Sequence, residues 1–244
     1  MKMNIGSSIS VVVPVFNEEE NIYPLAQEIG SALNGICDYE IIFVNDSSAD
    51  ATAVTLTKLK NEISEIRVIH HSQRSGQSAG LRTGILAAKN NIIVTLDGDG
   101  QNDPADIPSL LKKYEQSHDT HFAMVTGHRV KRRDSWAKRY ASKIANTIRA
   151  NLLKDDNPDT GCGLKLFHKN LFLRLPYFDH IHRFLPALAK REGCRIFVVP
   201  VNHRNRRHGV SKYANFQRLV VGIVDLLGVM WLIRRYPKNT DSKE

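Results

Sequence analysis

The sequence predicts an α/β protein built on an open, mostly parallel β-sheet with helices on both faces. Short apolar stretches alternate along the chain with helical stretches, an order typical of a doubly wound sheet. The apolar stretches are nearly continuous runs of β-branched and aliphatic residues, which is typical of strands buried on both faces. Polar side chains recur where these strands end, and in open α/β sheets ligands bind at that edge.

Composition indicates one sizeable basic domain. The 244 residues are 42% hydrophobic, which is enough for one core. A formal charge of +9 predicts an acidic partner: nucleic acid, a phosphorylated substrate or an anionic membrane surface. Cys37, Cys162 and Cys194 have neither zinc-site nor disulfide spacing, so a reducing compartment is expected. The N-terminal stretch MKMNIGSS has no apolar signal-peptide core, which predicts a protein that is not secreted.

The first half of the chain predicts strands that alternate with helices. The predicted strands are Ile9–Phe16, Tyr39–Val44, Arg67–His70 and Ile92–Leu96. The predicted helices run from the residue after Asn17 to about Leu33, from about Asp50 to Lys60, and over Gly76–Ala88. Asn17 is predicted to cap the first of these helices.

The second half predicts further elements and two basic segments. The elements are a helix over about Ala105–Ser117, a strand His121–Val125, a strand Leu164–Phe167, a helix Phe184–Glu192 and a strand Arg195–Val201. The first basic segment, Val130–Leu153, repeats apolar residues at every fourth position. It fits either a core-packed helix with a solvated basic face or a helix on lipid head groups or a phosphate site. The second, His203–Tyr213, is predicted to be a cationic loop, and a solvated charge run is its alternative.

The last apolar run, Leu219–Ile233, is interrupted by Asp225 and followed by Arg234 and Arg235. It is too short to span a bilayer, which needs about 20 apolar residues. A buried C-terminal helix is one interpretation. An interfacial helix, with Trp231 and the two arginines at the head groups, is the one we favour, because few residues remain to cover such a helix.

The stretch IIVTLDGDGQ, from Ile92 to Gln101, predicts a metal site at a strand end. Asp97 and Asp99 are two positions apart, so both carboxylates can leave the same face of the chain. Gly98 and Gly100 are expected to leave room for a ligand, and Gln101 adds a neutral oxygen. Such oxygen donors suit Mg²⁺ or Mn²⁺ that also holds substrate phosphates. The alternative is an ordinary Asp-Gly turn after a core strand.

Several stretches occur together in an order that resembles a known family. They are PVFNEEEN, VNDSSADAT, RSGQSAGLRTGI, LDGDGQNDP, TGHR, DTGCGLKLF and RRHGVSKY. They resemble family 2 glycosyltransferases of the GT-A fold, in the dolichol-phosphate mannose synthase-like branch that uses polyprenyl phosphates. The resemblance covers about Ser10 to Tyr213, and the ending VGIVDLLGVMWLIRR is similar to bacterial members that use undecaprenyl phosphate. It implies a GT-A domain over 1–215, an interfacial helix over 216–236 and a tail over 237–244. The domain would have a nucleotide half at about 8–128 and an acceptor half at about 129–215.

The resemblance also implies a role for individual residues. Those expected to contact the nucleoside part of the donor are Pro14, Phe16, Glu18, Asp46 and Asp97. Asp99 and Gln101 would hold Mg²⁺ or Mn²⁺, and Arg129 would reach the phosphates. The residues implied on the acceptor side are Lys138 and Ser142 at its phosphate, Asp159 near the sugar, and Arg206, Ser211 and Lys212 on a closing loop. Asp99, Arg129, Arg206 and Lys212 are the expected catalytic residues.

The implied reaction transfers mannose or a related hexose from a GDP- or UDP-sugar to undecaprenyl or dolichyl phosphate, with inversion. Its product would supply cell-envelope glycan or lipid A modification. The enzyme would be peripheral on the cytoplasmic face of the inner membrane, with a small membrane partner or a homo-oligomer left open. A phosphate monoester with a second pKa of about 6 is already anionic, so no general base is assigned.

Two other functions remain open from the sequence. A family 2 transferase acting on a sugar hydroxyl of a surface polysaccharide would need a carboxylate base, for which Asp159 is the candidate. A basic membrane- or nucleic-acid-binding module is the non-enzymatic alternative. Nucleic acid is disfavoured, because aromatic residues are not interleaved with the basic runs.

Overall fold

One seven-stranded sheet forms the centre of the computed structural model, which describes residues 8–117, 122–130, 149–150, 152–155, 157–205 and 215–236. Its strands are β1 Ile9–Val15, β2 Tyr39–Asn45, β3 Ile66–His70, β4 Ile92–Thr95, β5 Ala123–Arg129, β6 Lys165–His168 and β7 Arg195–Val201.

The order of strands across the sheet is β3-β2-β1-β4-β6-β5-β7. Neighbouring strands are parallel except where β6 runs antiparallel to both β4 and β5. The predicted mostly parallel sheet is therefore confirmed. The carboxyl ends of β1, β2 and β4 meet at one edge, and the reversal of β6 brings its first residue, Lys165, to the same edge opposite Thr95.

The helices lie on both faces of the sheet. They are α1 Glu19–Leu33, α2 Thr52–Glu62, α3 Gln77–Ala87, α4 Ile107–Glu115, α5 Lys169–Arg174, α6 Leu185–Arg191 and α7 Asn215–Arg234. Short 3₁₀ helices cover Pro104–Asp106 and Ile181–Arg183.

The core divides into two apolar clusters, one on each face of the sheet. Strand β1 shows why: Ile9, Val11 and Val13 enter one cluster, while Val12 between them enters the other. The first cluster also contains the apolar stripes of α1 and α4, and the second contains those of α3 and α6. This burial on both faces explains the nearly continuous apolar strands.

Three local predictions differ from the structure. Asn17 does not cap α1, because its backbone is left-handed, with φ 53°, and its Oδ1 accepts a hydrogen bond from the Ala49 amide at 2.8 Å. Strand β5 continues to Arg129 rather than ending at Val125, so Arg129 is the last residue of this strand. Helix α5 was not predicted, since its six residues are too few to display a clear apolar period.

Helix α7 is apolar on both of its sides. Leu226, Val229, Met230 and Ile233 pack against the second core cluster. On the opposite side, Val224, Leu227 and Trp231 are exposed by 60% or more. Among the described residues, no helix has the length and apolar character needed to cross a membrane.

Candidate active site

A pocket of about 700 Å³ opens at the edge of the sheet where β1, β2 and β4 end. It brings together every predicted donor and metal residue. These are Pro14, Phe16, Glu18, Asp46, Asp97, Asp99, Gln101 and Arg129. Asp159 is buried next to Arg129. The other predicted residues, Lys138, Ser142, Arg206, Ser211 and Lys212, lie outside the residues that the structure describes.

Asp97 is held at the base of the pocket directly after β4. Its amide donates to Asn102 Oδ1 at 3.1 Å, and its Oδ1 accepts from Gln77 Nε2 at 2.7 Å. Burial, together with the charge of Asp99, raises the pKa of Asp97 to about 6, although Lys165 and Arg129 act in the opposite direction. Two carboxylates that repel each other in this way fit a site whose charge is balanced by a divalent cation.

Asp99 and Gln101 complete the predicted metal-binding stretch. Asp99 Oδ1 accepts a hydrogen bond from the Gln101 amide at 3.1 Å, which holds the two residues in one tight turn. Within the described part of the chain, no three acidic, histidine or cysteine side chains form a preformed metal cluster. A metal held here would therefore take further ligands from donor phosphates and water, as Mg²⁺ commonly does.

Gly98 serves packing rather than ligand access. A Cβ at this position would lie 2.6 Å from Val15 Cγ1 and 3.0 Å from the Pro14 carbonyl oxygen. The prediction that Gly98 leaves room for a ligand is therefore wrong. The absence of a side chain instead allows the turn to lie against the end of β1.

Asp46, at the end of β2, shapes the pocket wall through the loop that follows β3. Its carboxylate accepts hydrogen bonds from the Ser75 and Gly76 amides, each at 2.8 Å, and lies 2.9 Å from His71 Nδ1. Burial raises the pKa of Asp46, but these hydrogen bonds outweigh that effect and leave the pKa below its usual range. Direct contact between Asp46 and a nucleoside stays a prediction.

Phe16 and Glu18 lie on the loop after β1. The Arg74 guanidinium lies 4.2 Å from the centre of the Phe16 ring, a cation–π contact at the pocket wall. The Glu18 amide donates to Thr52 Oγ1 at 2.9 Å, which joins this loop to the start of α2. These contacts fix the positions of both residues beside the ends of β1 and β2.

The partly buried Arg129 and the buried Asp159 form a bidentate ion pair. Asp159 accepts hydrogen bonds from Arg129 Nε at 2.7 Å, from Nη2 at 2.6 Å and from the Arg129 amide at 3.2 Å. Burial by itself would lower the pKa of Arg129. The hydrogen bonds to Asp159 and the charge of Asp159 outweigh that effect and raise the pKa above its usual range. Asp159 thus fixes a permanently charged guanidinium at the pocket.

Sequence reasoning missed several residues that line the pocket. They are Arg74, Gln77, Arg149, Lys165, Asp179, His180, His182 and Arg183. A lysine within the short apolar strand LKLF was the available signal for Lys165. The 179–183 segment gave no signal, because long-range contacts place it. His182 Nδ1 lies 2.8 Å from Ser78 Oγ, and His180 Nδ1 lies 3.0 Å from Asp225 on α7.

Acidic and basic side chains of the pocket come from different parts of the chain. The acidic wall, from the ends of β1, β2 and β4, consists of Glu18, Asp46, Asp97 and Asp99. The basic wall, from β5 onward, consists of Arg129, Arg149, Lys165 and Arg183. Arg74, beside Phe16, and Asp179, beside Gly76, are the described charged lining residues outside these two groups. Such a lining can hold a cation near the carboxylates and an anion near the basic side chains.

The sequence matches a known family over most of its length. Residues 10–175 match the model described as Glycosyl transferase family 2. The chain belongs to this family. The predicted family membership is therefore confirmed.

A curated relative and several solved structures extend this finding. Over 231 residues, the chain is 34% identical to the dodecaprenyl-phosphate galacturonate synthase of Rhizobium johnstonii, covering 93% of this chain and 67% of that protein. Glucosyl-3-phosphoglycerate synthase from Mycobacterium tuberculosis, solved with Mg²⁺ and UDP, superposes with a TM-score of 0.70 at 18% identity, covering 97% of this family 2 chain and 83% of that one. The same enzyme with Mn²⁺, UDP-glucose and glycerol 3-phosphate gives a TM-score of 0.67 at 19% identity, with coverages of 97% and 83%. These structures share the fold, which confirms the predicted α/β GT-A architecture.

Proposed function

We propose that this protein transfers a sugar from a nucleotide diphosphate sugar to a polyprenyl phosphate. The main support is the pocket itself, whose lining combines acidic side chains at the ends of β1, β2 and β4 with basic side chains from later elements. The acidic wall suits a metal-bound diphosphate, and the basic wall suits an anionic acceptor. The relative named as a dodecaprenyl-phosphate galacturonate synthase supports this class of acceptor.

The acidic wall binds the donor in this proposal. Asp99 and Gln101 would hold Mg²⁺ or Mn²⁺, which when bound neutralises charge on the departing nucleoside diphosphate. Phe16 and Asp46 lie where the nucleoside would be placed, beside the ends of β1 and β2. Asp97, fixed by Gln77 and Asn102, would orient the ribose side of the donor.

The basic wall binds the acceptor phosphate and the diphosphate that departs from the sugar. Arg129 is oriented by Asp159 before any ligand arrives, so its charge needs no rearrangement during the reaction. Lys138 and Ser142 would contact the acceptor phosphate, and Arg206, Ser211 and Lys212 would exclude water from the donor, as the family resemblance implies.

The Arg129–Asp159 pair favours a phosphate acceptor over a sugar hydroxyl. A hydroxyl acceptor needs a general base, and Asp159 was the candidate in the sequence. Its carboxylate accepts three hydrogen bonds from Arg129, so both of its oxygens are already bound by that residue rather than directed at an acceptor hydroxyl. A polyprenyl phosphate is already an anionic nucleophile and needs no base.

The exposed side of α7 supports peripheral attachment to a membrane. Val224, Leu227 and Trp231 form an exposed apolar strip, and Arg234 and Arg235 follow it. Aromatic and basic residues at the end of such a strip suit an anionic bilayer surface. We propose that this side lies on the cytoplasmic face of the inner membrane, where the lipid acceptor is held.

The sugar can be identified by one comparison of donors. GDP-mannose and UDP-glucose test the hexoses implied by the sequence, and UDP-galacturonate tests the sugar in the name of the relative. Each radiolabelled donor is incubated with the full-length protein, Mg²⁺ or Mn²⁺ and undecaprenyl phosphate in anionic vesicles, and lipids are then extracted. The proposal expects a labelled, metal-dependent lipid product with at least one donor.

Two other outcomes would contradict the proposal. Label appearing only in a water-soluble saccharide, when polysaccharide fragments are added, would favour a hydroxyl acceptor. The absence of any metal-dependent thermal stabilisation by UDP or GDP would favour a membrane-binding module, because a ligand that binds the folded state raises the melting temperature.

A further inference from the structure

Lys165 is a buried cation at the base of the pocket whose role neither the family match nor the sequence prediction assigns. Its side chain is 3% exposed, although it lines the pocket. It lies on β6 directly opposite Thr95 on β4, so both side chains point to the same face of the sheet. A buried lysine requires hydrogen-bond acceptors or opposite charge nearby.

The acceptors of Lys165 are backbone carbonyls of the turn that precedes β6. Its Nζ donates to the Cys162 carbonyl and, at 3.4 Å, to the Thr160 carbonyl. Thr95 Oγ1 donates to the Gly163 carbonyl of the same turn at 2.7 Å. Two side chains on adjacent strands therefore hold three carbonyl groups of the 160–163 turn.

This turn fits closely between the acidic and basic walls. A Cβ at Gly163 would overlap the Asp97 carboxylate, and a Cβ at Gly161 would lie 3.0 Å from Arg129 Nη2. A small displacement of the turn would thus move it into Asp97 or away from Arg129. Misplacement of about 1 Å in an active site can reduce rates by about a hundredfold.

Lys165 also contributes charge to this part of the pocket. Burial lowers its pKa, while Cys162, Asp97 and Asp159 act in the opposite direction. Its charge in turn lowers the pKa of Asp97. Because Asp97 and Asp99 are neighbours in the predicted metal site, a positive charge at Lys165 opposes the binding of a second cation there.

We propose that Lys165 is a positioning residue that fixes the 160–163 turn between Asp97 and Arg129 and moderates the attraction of Asp97 and Asp99 for a divalent cation. The proposal rests on the proposed function for its activity readout alone. Its other two readouts, exchange of backbone amides and metal affinity, need no acceptor and no transfer.

The first experiment measures the turn in the metal-free, full-length protein. Hydrogen–deuterium exchange of a peptide covering 157–164 is compared for the parent, Lys165→Met and Thr95→Val. Both variants should increase exchange in this peptide at least about tenfold, while a peptide from β2 stays unchanged. Parental exchange in Lys165→Met would overturn the positioning role.

The second experiment separates charge from geometry. Mn²⁺ affinity is measured by calorimetry in the presence of UDP or GDP for three variants. Lys165→Met removes the charge and should bind Mn²⁺ about three- to tenfold more tightly. Lys165→Arg keeps the positive charge. Thr95→Val removes a hydrogen bond to the same turn without changing any charge. Both variants should therefore keep the parental Mn²⁺ affinity. Lys165→Met with parental or weaker Mn²⁺ binding would overturn the charge role.

Transfer activity gives the third readout. Lys165→Met should reduce kcat about a hundredfold although it binds Mn²⁺ more tightly, and Thr95→Val should reduce it less, by about tenfold. A parental kcat in Lys165→Met would contradict the proposal. If the parent itself transfers no sugar to polyprenyl phosphate, the proposed function fails while the exchange and affinity experiments still decide the role of Lys165. If Lys165→Met does not fold, Lys165→Gln, which is shorter and uncharged, replaces it: parental exchange in the 157–164 peptide would then overturn the positioning role.

Discussion

The two walls of the pocket are built in different ways. The acidic wall takes its residues from strand ends and from the loops directly after them, so Asp97, Asp99 and Gln101 are four positions apart at most. The basic wall joins residues that are distant in sequence. Arg129 is the last residue of β5, and the residue that binds it, Asp159, lies thirty positions later. Lys165 is the first residue of the antiparallel strand β6.

This difference explains how the pocket can accept two charged substrates. Local turns place the carboxylates, and burial together with the charge of Asp99 raises the pKa of Asp97. A bound cation would act in the opposite direction. Buried ion pairs place the guanidinium groups: Arg129 binds Asp159, and Arg149 binds Asp155 at 2.5 Å and the Asn157 carbonyl at 2.8 Å. In the proposed reaction a metal would complete the first wall and an anion the second.

Removing a carboxylate from the acidic wall should have the largest effect. Asp99→Asn should reduce transfer by about a thousandfold or more, because a bound metal contributes several kcal/mol to stabilising charge in the transition state. The fold should persist, since Asp99 is partly exposed at a strand end. Initial rates are measured across a Mn²⁺ titration, with the exposed Asp38→Asn as a control. Near-parental turnover at saturating Mn²⁺ would mean that Asp99 is not a metal ligand.

A cation on the predicted closing loop should have the next largest effect. Arg206→Ala should lower transfer by about a hundredfold, the size expected for the loss of one preorganised charged donor. Donor affinity should stay near parental, because the donor binds to the acidic wall. Single-turnover transfer and donor calorimetry are compared, and Arg206→Lys should restore transfer only in part, since lysine lacks the bidentate geometry. A parallel fall in donor affinity and transfer would place Arg206 at the donor instead.

Breaking the buried ion pair of the basic wall should affect both stability and activity. Asp159→Asn leaves the partly buried Arg129 charge without its ionised partner, which should cost about 1–3 kcal/mol of unfolding free energy. Transfer to a polyprenyl phosphate should fall about tenfold as Arg129 loses its orientation. Urea unfolding and initial rates are the measurements. If Asp159 is instead a catalytic base, transfer would be abolished rather than reduced about tenfold.

The smallest effect should follow from changing the exposed strip of α7. Leu227→Glu places a charge in the apolar side and should weaken binding to anionic vesicles at least about tenfold, with donor affinity unchanged. Val54→Glu on α2 is the matched control, because Val54 is 58% and Leu227 60% exposed. Vesicle co-sedimentation at low salt is the measurement. Equal binding by both variants would contradict the interfacial role of α7.

The sequence predicted the acidic wall far better than the basic wall, for a physical reason. A strand followed by a polar turn is a local pattern, and parallel strands place their carboxyl ends together, so Asp46 and Asp97 could be assigned to one edge. The pairing of Arg129 with Asp159 could not be predicted, because it depends on the reversal of β6. Asp179 and His182 were missed for the same reason. Gly98 was misinterpreted because the sequence does not show whether a ligand or the Val15 side chain fills the space next to its Cα.

The most direct test compares two lipid acceptors that differ only in charge. The full-length protein is given a labelled nucleotide sugar that it uses, Mn²⁺, and either undecaprenyl phosphate or undecaprenol in the same anionic vesicles. A basic wall that binds phosphate, with Asp159 already saturated by Arg129, predicts rapid transfer to the phosphate and none to the alcohol. Transfer to undecaprenol at a comparable rate would show that the site activates a hydroxyl, and would contradict the division of the pocket into a donor wall and a phosphate-binding wall.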